Sequence, residues 1–494
     1  MLTGDFWQCD PASDPEGLRI PTPAIGIGAH SLLDLNGDKE KLTGLDSGNA
    51  QRFRILFQHC ARYSSERKKW LVFWSGDGIW RWDETSICLQ MARKALYEWY
   101  RQAKRADSEE NYKLARKSLD DLYRFDRMLR LAGPLMPIRL EELDRQPDLL
   151  VFKNGTLNLA TGELGKSKSV DLVSRRLEYA YDPDANCPLF QNFLSRALGG
   201  HSAMSGSQAE ELRQMLLAVQ LYMGYSLTGR TSSKAVFIWH GPTNTGKTTF
   251  LNLFLSLLGA YGATLQIESL MRGAEQGNAA QADLADLHGA RFVMSSEVGE
   301  GQRLDVRRLK GITQGGAESR IKARRLHENP FSFFESHKLH LDSNYLPHVP
   351  DNDSAFWGRV FPIPWEVQIP ECEQDRKLSE KLLAEAPGIL AWAARGSKRW
   401  YDIGGVLDRP ASVREAGAAY KTAMDMVHQF VEDCLTKDDA GEVGSTELYR
   451  AWEHWAHERR CRPLTHKAFS MKMRALGWDR VERRDGAYYH GLKL

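Results

Sequence analysis

The sequence predicts an α/β protein built around a phosphate-binding loop. The stretch GPTNTGKT, residues 241–248, fits the pattern G-x-x-x-x-G-K-T. An apolar strand pattern at 236–239 precedes it, and an apolar helical pattern at 250–258 follows it. Two later strand patterns also end in polar residues: 292–294 leads into Ser-Ser-Glu, and 338–342 leads into Ser-Asn. A strand, a glycine-rich loop and a helix in this order are what makes a nucleotide-binding domain credible.

The composition is that of a globular protein and excludes several other classes. The chain has 494 residues, enough for about three domains. Its 66 basic and 64 acidic residues nearly cancel, so a nucleic-acid surface would need local clustering of charge. No apolar run reaches the ~18 residues that span a bilayer, and the first residues lack a signal-peptide pattern. The seven cysteines include no C-x-x-C pair. These features predict a cytoplasmic protein with no membrane partner.

The region before the loop is predicted to combine strands, a hairpin and helices. Residues 68–83 alternate like two short strands around the turn SGDG, and 106–132 form a charged amphipathic helix. Asn154-Gly155, between two apolar runs, is the strongest hairpin signal in the chain. Helical patterns then continue to about residue 230, directly before the strand that leads into the loop.

The residue types of the loop suit a nucleotide. Gly241 and Gly246 let backbone amides approach the phosphates without a clashing Cβ, and Lys247 neutralises the β and γ oxygens. Thr248 offers a hydroxyl to Mg²⁺, and the helix that begins here directs its positive end at the phosphates. We therefore expect ATP and Mg²⁺ to bind at the loop residues Gly241, Pro242, Thr243, Asn244, Thr245, Gly246, Lys247, Thr248 and Thr249.

Three polar residues after the loop are candidates for the chemistry of ATP hydrolysis, which needs a carboxylate at the end of a neighbouring strand. Glu297 is the best placed carboxylate; Glu300 could share its role, and a solvated strand-end glutamate is the alternative. Asn344 could sense the γ-phosphate or simply form a turn before Tyr-Leu-Pro. Arg359 could stabilise the transferring phosphoryl group, often from a neighbouring subunit, or be only a surface residue.

Residues 303–325 are unusually basic, with eight Lys/Arg against two acids. Strand alternation in SRIKARRL places Arg320, Lys322 and Arg324 on one face. A row of cations beside a nucleotide site suits the tracking of a phosphate backbone. A solvated charged face is the alternative, and these residues alone do not decide between the two.

The tail is basic as well, with eleven Lys/Arg against five acids in residues 450–494. After a polar break at 435–445, a helix at 447–459 is followed by a second helix from Thr465 and by a hairpin pattern. A basic helix before a two-stranded wing suits contact with duplex DNA. The second helix carries Lys467, Lys472 and Arg474. A lid that packs against another subunit is the alternative.

In combination these motifs resemble the superfamily 3 helicases, specifically the phage and plasmid primase-helicase family that includes the poxvirus-type primase-helicases. GPTNTGKT is similar to that family's G-P-x-N-x-G-K-T/S, and KGITQGG to its K-x-x-T-G-G. ARFVMSSE, SNYLP and FWGRVFPIPW resemble the three motifs that follow in the family, and the resemblance covers roughly 40 to 494. Ser296, Gly358 and the Ala-Glu-Ser after QGG depart from the family pattern.

The resemblance implies an α/β, AAA+-like P-loop domain of superfamily 3 type that forms hexameric rings and translocates on single-stranded or forked DNA. It implies that Lys247 and Thr248 bind phosphate and Mg²⁺, that Glu297 is the acid of the second nucleotide motif, and that Asn344 is the sensor. Arg359 would be the finger that reaches the next subunit's ATP, and Lys322 and its neighbours would lie on the DNA-tracking hairpin.

The domains implied are an N-terminal α+β region (1–135), a hairpin with a helical collar (136–230), the ATPase domain (231–400) and a C-terminal winged helix (401–494). A primase-polymerase is expected as a separate chain or as a further N-terminal domain. The setting implied is replication of a phage, plasmid or integrated element in a bacterial or virus-infected cell. The rival functions are an ATPase that remodels protein or RNA, and a DNA-binding ATPase ring that does not unwind, such as an origin-binding or defence scaffold.

Overall fold

The computed structural model describes residues 46–201, 203–271, 283–296, 302–324, 330–349, 354–459, 463–484 and 486–494. In these ranges no helix is long and apolar enough to cross a bilayer. Glu297 and Glu300 lie outside the described residues. Short 3₁₀ helices occur at Gly133–Leu135, Leu140–Glu142, Ser169–Asp171, Gly259–Tyr261, Ile267–Leu270 and Glu371–Glu373.

The first part of the described chain packs helices against a small antiparallel sheet. Its strands lie in the order β1-β2-β3, and the two strands predicted around SGDG are confirmed. The prediction of one helix over 106–132 is wrong, because Asp121 accepts a hydrogen bond from the Tyr123 backbone N–H at 3.0 Å and begins a new helix. The elements are α1 (Asp46–Phe57), β1 (Ala61–Ser64), β2 (Lys69–Trp74), β3 (Ile79–Trp82), α2 (Ile87–Arg105), α3 (Glu109–Leu119) and α4 (Leu122–Ala132).

The predicted hairpin forms from β4 (Leu149–Phe152) and β5 (Gly155–Asn158), and β6 (Leu164–Gly165) extends it. The turn lies one residue earlier than predicted, because Phe152 pairs with Gly155 and leaves Lys153 and Asn154 as the loop. The Asn154 side chain is bound in both directions: its Nδ2 donates to the Tyr181 carbonyl at 2.9 Å and its Oδ1 accepts from the Tyr181 N–H at 2.8 Å. A contact with a distant segment therefore orients this asparagine.

The central part of the chain forms a parallel sheet in the order β13-β7-β12-β9-β8. The strands predicted at 236–239, 338–342 and 292–294 are therefore parallel neighbours, and their carboxyl ends lie together where the loop begins. The elements are α5 (Pro188–Ala197), α6 (Gly206–Leu227), β7 (Val236–His240), α7 (Lys247–Leu258), β8 (Gly262–Thr264), β9 (Phe292–Ser296), α8 (Val306–Ile312), β10 (Arg320–Ala323), β11 (Phe331–Phe334), β12 (Lys338–Ser343), α9 (Ser354–Trp357) and β13 (Val360–Pro364).

Both faces of this sheet are covered, because alternate residues of β7 enter different cores. Phe237 and Trp239 pack in the core that contains the apolar face of α7. Val236 and Ile238 pack in the core that contains α8 and the buried side of β10. The antiparallel pair β10–β11 thus attaches to the sheet through its apolar side, and its charged side faces solvent.

The last part of the chain begins with helices that cover the sheet and ends in a small separate core. α11 packs on α6, where the rings of Tyr225 and Trp400 lie 4.9 Å apart. The polar break predicted at 435–445 is wrong: this stretch is β14, which pairs with β16 nearly fifty residues later. The elements are α10 (Leu378–Ala384), α11 (Ala386–Asp402), α12 (Ala411–Ala423), α13 (Met426–Cys434), β14 (Thr436–Gly444), α14 (Ser445–Glu458), α15 (His466–Ala475), β15 (Arg480–Arg483) and β16 (Gly486–Lys493).

Candidate nucleotide site and nucleic-acid surfaces

The loop 241–246 connects β7 to α7 at the carboxyl edge of the sheet. Two of its residues have left-handed backbone conformations, Asn244 with φ 62° and Gly246 with φ 87°, which asparagine and glycine tolerate best. A Cβ at Gly241 would lie 2.0 Å from the Trp365 carbonyl oxygen, so only glycine fits there. These backbone conformations let the loop turn directly into the N-terminus of α7, where backbone amides can meet a phosphate.

The chain that follows β13 holds the loop in this shape. The Trp365 indole N–H donates to the Thr245 carbonyl at 2.6 Å, and the Trp365 backbone N–H donates to the His240 carbonyl at 2.8 Å. The Ile369 N–H donates to the Asn244 carbonyl at 2.8 Å. With these carbonyls occupied from one side, the loop is preorganised before any ligand binds.

Lys247 and Asn344 meet inside the loop. The Lys247 ammonium donates to the Asn344 amide oxygen at 2.7 Å and to the Pro242 carbonyl at 2.9 Å. Burial lowers the pKa of Lys247, and the negative charge of Asp342 opposes that shift. A lysine that is only 4% exposed and is held by neutral oxygens is positioned to receive a phosphate oxygen.

Thr248 meets a carboxylate on the neighbouring strand. Its hydroxyl donates to Asp342 Oδ2 at 2.6 Å, and Asp342 is only 6% exposed near the end of β12. Burial raises the pKa of the Asp342 carboxyl, while the Thr248 hydrogen bond and the charge of Lys247 oppose the rise. A hydroxyl and a carboxylate beside a phosphate loop are oxygen ligands of the kind that Mg²⁺ binds, directly or through water. These residues therefore fit both a nucleotide phosphate and Mg²⁺.

Arg359 lies away from this site. It directly precedes β13, whose parallel pairing with β7 runs from Val360 opposite Val236 to Pro364 opposite His240. The loop follows the far end of β7, so roughly 13 Å of strand separates Arg359 from its own loop. The Arg359 guanidinium donates to the carbonyls of Thr313, at 3.3 Å, and Ala355.

The basic residues predicted on β10 share one side of the strand, as the alternation requires. Ile321 and Ala323 are buried, whereas Arg320, Lys322 and Arg324 are exposed. Arg320 pairs with Glu141 at 3.0 Å and its guanidinium lies 4.5 Å from the ring centre of Phe334. The alternation is thus confirmed, and Arg320 is already paired with an acid of the same chain.

The basic residues predicted on the second tail helix lie on α15. Lys467 and Arg474 are exposed, and Arg474 is 3.4 Å from Asp479. Lys472 instead pairs with Asp425 at 2.5 Å and ties α15 to the start of α13. The helix–helix–hairpin order of the tail is confirmed, with β14 as an additional strand beside the hairpin.

Two regions of the chain match known protein families. Residues 50–199 match the family described as D5 N terminal like, and residues 239–359, which contain the loop, match a family of unknown function (DUF5906). The chain is 28% identical over 252 residues to "Putative helicase 022R" of frog virus 3 (isolate Goorha), a match that covers 47% of this chain and 25% of that protein. These matches support a relation to the D5-type primase-helicases.

A second viral relative is more distant. "Putative helicase 121R" of invertebrate iridescent virus 3 is 23% identical over 346 residues, which is 63% of this chain and 35% of that protein. The chain thus spans between a quarter and about a third of the curated relatives it matches. Apo structures of the NrS-1 C-terminal region match at 12% identity with TM-scores of 0.46 and 0.44, and they cover 87% and 88% of this chain and 95% and 96% of those chains. Both TM-scores lie below 0.5.

One residue of the candidate site, Asp342, was not predicted from the sequence. Asp342 ends the strand pattern LHLD and reads there as one more alternating residue, two positions before the predicted Asn344. Its carboxylate is brought to Thr248 because β12 lies directly beside β7. A carboxylate at the end of a strand pattern, two positions before the predicted Asn344, is the sequence signal that could have indicated it.

Proposed function

We propose that this chain is an ATP-dependent DNA helicase that works as a ring of identical subunits, a hexamer, in the replication of a phage, plasmid or integrated element. The observation that carries the proposal is the convergence of Lys247, Thr248, Asp342 and Asn344 at the carboxyl edge of the sheet. The names of the two viral relatives agree with it.

The nucleotide site uses residues of one subunit to bind ATP. The phosphates would lie in the loop 241–248, against the Lys247 ammonium and the N-terminus of α7. Thr248 and Asp342 would hold Mg²⁺, together with Glu297, and the bound ion would neutralise charge on the phosphate oxygens. Asn344, bonded to Lys247 at 2.7 Å, is suited to respond when that ammonium turns toward a γ-phosphate.

The site is completed by the next subunit. Arg359 lies at the amino end of β13, and its own loop lies at the carboxyl end of β7. We therefore assign Arg359 to a phosphoryl group bound by another copy of the chain. The guanidinium would spread over the charge that develops on the transferring group. Hydrolysis then takes place between subunits, which makes the oligomer a requirement for turnover.

DNA is the polymer that the charged surfaces favour. The row Arg320, Lys322 and Arg324 is suited to a phosphate backbone inside the ring, and Lys467 and Arg474 on α15 are suited to a duplex. We propose that residues 426–494 form a winged helix with α15 as its DNA-binding helix. The ion pair of Lys472 with Asp425 makes that lysine the least available of the three tail cations.

A comparison of polymers tests the proposed function. ATP turnover should rise above its value without a polymer when single-stranded or forked DNA is added. RNA should raise it less. Strand separation of the fork should require hydrolysable ATP. Stimulation by RNA alone would indicate an RNA remodelling enzyme, and turnover on DNA without strand separation would indicate a ring that binds but does not unwind.

Replacement of Asp342 by asparagine should separate stability from activity. Burial raises the pKa of this carboxyl, so the folded state binds its proton more tightly, and the ionised side chain lowers stability as the pH rises through that pKa. Asparagine keeps an acceptor for Thr248 without the charge. We expect a melting temperature equal to or above wild type at neutral pH, a difference that shrinks as the pH falls through the raised pKa and is lost below about pH 4, and turnover lowered about 10- to 100-fold. A lower melting temperature with full turnover would contradict both roles.

Replacement of Lys322 by alanine should weaken DNA binding alike for all sequences. Loss of one phosphate contact should reduce the slope of log K against log salt by about one. Arg320→Ala provides the comparison: its guanidinium already pairs with Glu141 at 3.0 Å, so we expect a smaller change in slope. Salt titrations of DNA binding, followed by fluorescence anisotropy, measure both, and equal slopes for Lys322→Ala and wild type would remove Lys322 from the DNA surface.

A further inference from the structure

Glu335 is a buried carboxylate outside the nucleotide site. It directly follows β11 and is only 6% exposed. Its Oε2 accepts hydrogen bonds from the Gly315 backbone N–H at 3.0 Å and from the Ser319 hydroxyl at 2.6 Å. The Glu335 backbone N–H also donates to the Ser319 carbonyl at 2.9 Å. One residue therefore bonds to both ends of the segment 315–319.

The surrounding segment, which we call the link turn (residues 313–319), has little freedom to change shape. Gly315 and Gly316 have φ values of 70° and 103°, which other residues rarely adopt. A Cβ at Gly315 would lie 2.4 Å from the Thr231 carbonyl oxygen, so the turn is also packed closely against the chain before β7. A segment bonded at both ends and packed in this way should move as a unit.

The link turn contacts both the Arg359 side chain and the basic hairpin. At its start, the Thr313 carbonyl accepts a hydrogen bond from Arg359 Nε at 3.3 Å. At its end, Ser319 leads directly into Arg320, the first residue of β10. When Arg359 turns toward a neighbouring nucleotide, its bond to Thr313 must lengthen or break, and the change reaches the base of the β10–β11 hairpin through the turn.

We propose that the link turn, held by Glu335, couples the nucleotide site of one subunit to the DNA-binding hairpin of the next. Glu335 acts as a positioning residue, since it touches neither nucleotide nor DNA. The inference rests on the proposed function and adds the element through which the two surfaces communicate. It requires that a nucleotide changes the affinity for DNA, and that Glu335 sets the size of this change.

A binding measurement tests the coupling without turnover. The dissociation constant of the full chain for single-stranded DNA is measured with and without a non-hydrolysable ATP analogue, and the ratio is compared among variants. Glu335→Ala should bring the ratio at least about threefold closer to one than wild type, with DNA affinity in the absence of analogue little changed. Glu335→Gln, which keeps an acceptor oxygen, should retain most of the wild-type ratio. Ser336→Ala is the matched control, because the Ser336 hydroxyl donates to the Ala290 carbonyl, outside the link turn.

The outcomes separate this inference from the proposed function. A wild-type ratio of one, or a wild-type ratio retained by Glu335→Ala, would overturn the coupling and leave the helicase proposal standing. A wild-type chain that binds neither the analogue nor DNA would overturn both. If Glu335→Ala does not assemble, Ser319→Ala serves instead, because it removes one of the two hydrogen bonds that the Glu335 carboxylate accepts. An unchanged ratio of DNA dissociation constants in that variant would equally show that the link turn does not couple the two sites.

Discussion

Alanine in place of Arg359 should lower ATP turnover by the assembled ring about 10³- to 10⁵-fold, the range associated with loss of an arginine finger. The variant should still bind ATP, because the substitution leaves its own loop, Lys247 and Thr248 unchanged. These residues lie at the carboxyl ends of the strands, and Arg359 lies at the amino ends. Turnover and the binding of a fluorescent ATP analogue measure the two effects separately. Arg213→Ala is a suitable control, since Arg213 only pairs with Glu210 at 2.7 Å on the surface.

Mixed rings decide whether Arg359 acts in the next subunit. Subunits with Arg359→Ala keep an intact loop, and subunits with Lys247→Ala keep an intact Arg359. Each should be inactive alone, and a mixture should regain turnover at those interfaces where an intact loop faces an intact arginine. If the mixture stays as inactive as its components while co-assembly is demonstrated, the assignment of Arg359 to a neighbouring site is wrong.

Alanine in place of Lys247 should lower turnover about 10²- to 10³-fold, because it removes the cation that would stabilise the negative charge on the transferring phosphoryl group. The fold should survive, since burial already disfavours this ammonium, and its two partner residues, Pro242 and Asn344, are exposed, so water can replace the lost hydrogen bonds. Calorimetric titration with an ATP analogue and the melting temperature measure these effects.

The matched control for this variant is Lys398→Ala. Lys398 pairs with Asp402 at 2.8 Å on the exposed side of α11, so its loss should change neither binding nor turnover. DNA-stimulated turnover retained in Lys247→Ala would remove the loop from the active site and with it the proposed function.

The parts of the fold that sequence reasoning predicted are those with strong local signals. The loop forms between a strand and a helix because glycine at 241 and 246 and asparagine at 244 permit the backbone angles that it needs. The exposed and buried residues of β10 follow its alternating pattern. Both features depend on neighbours within a few positions along the chain, and so they can be inferred from the residues alone.

The failures share a different cause. Residues 435–445 look like a polar break because β14 has little apolar character, and it becomes a strand only by pairing with β16 from the end of the chain. The single helix predicted over 106–132 divides where one aspartate prefers to cap a new helix. The turn of the hairpin is Lys153-Asn154 instead of Asn154-Gly155, and the Asn154 side chain bonds to Tyr181. Long-range pairing and competing side-chain bonds outweighed local propensity in these elements.

By itself, the sequence determined that the chain contains a loop with the phosphate-binding pattern, which residues form it, and that basic residues lie on one side of a later strand. Only the tertiary structure decided which carboxylate stands against Thr248 and how far Arg359 lies from its own loop. The physical reason is the order and direction of the strands. β12 lies beside β7 and places Asp342 against Thr248. β13 runs parallel to β7, so Arg359 lies at the amino ends of the strands, away from the loop. Both depend on contacts between residues that are widely separated in the chain.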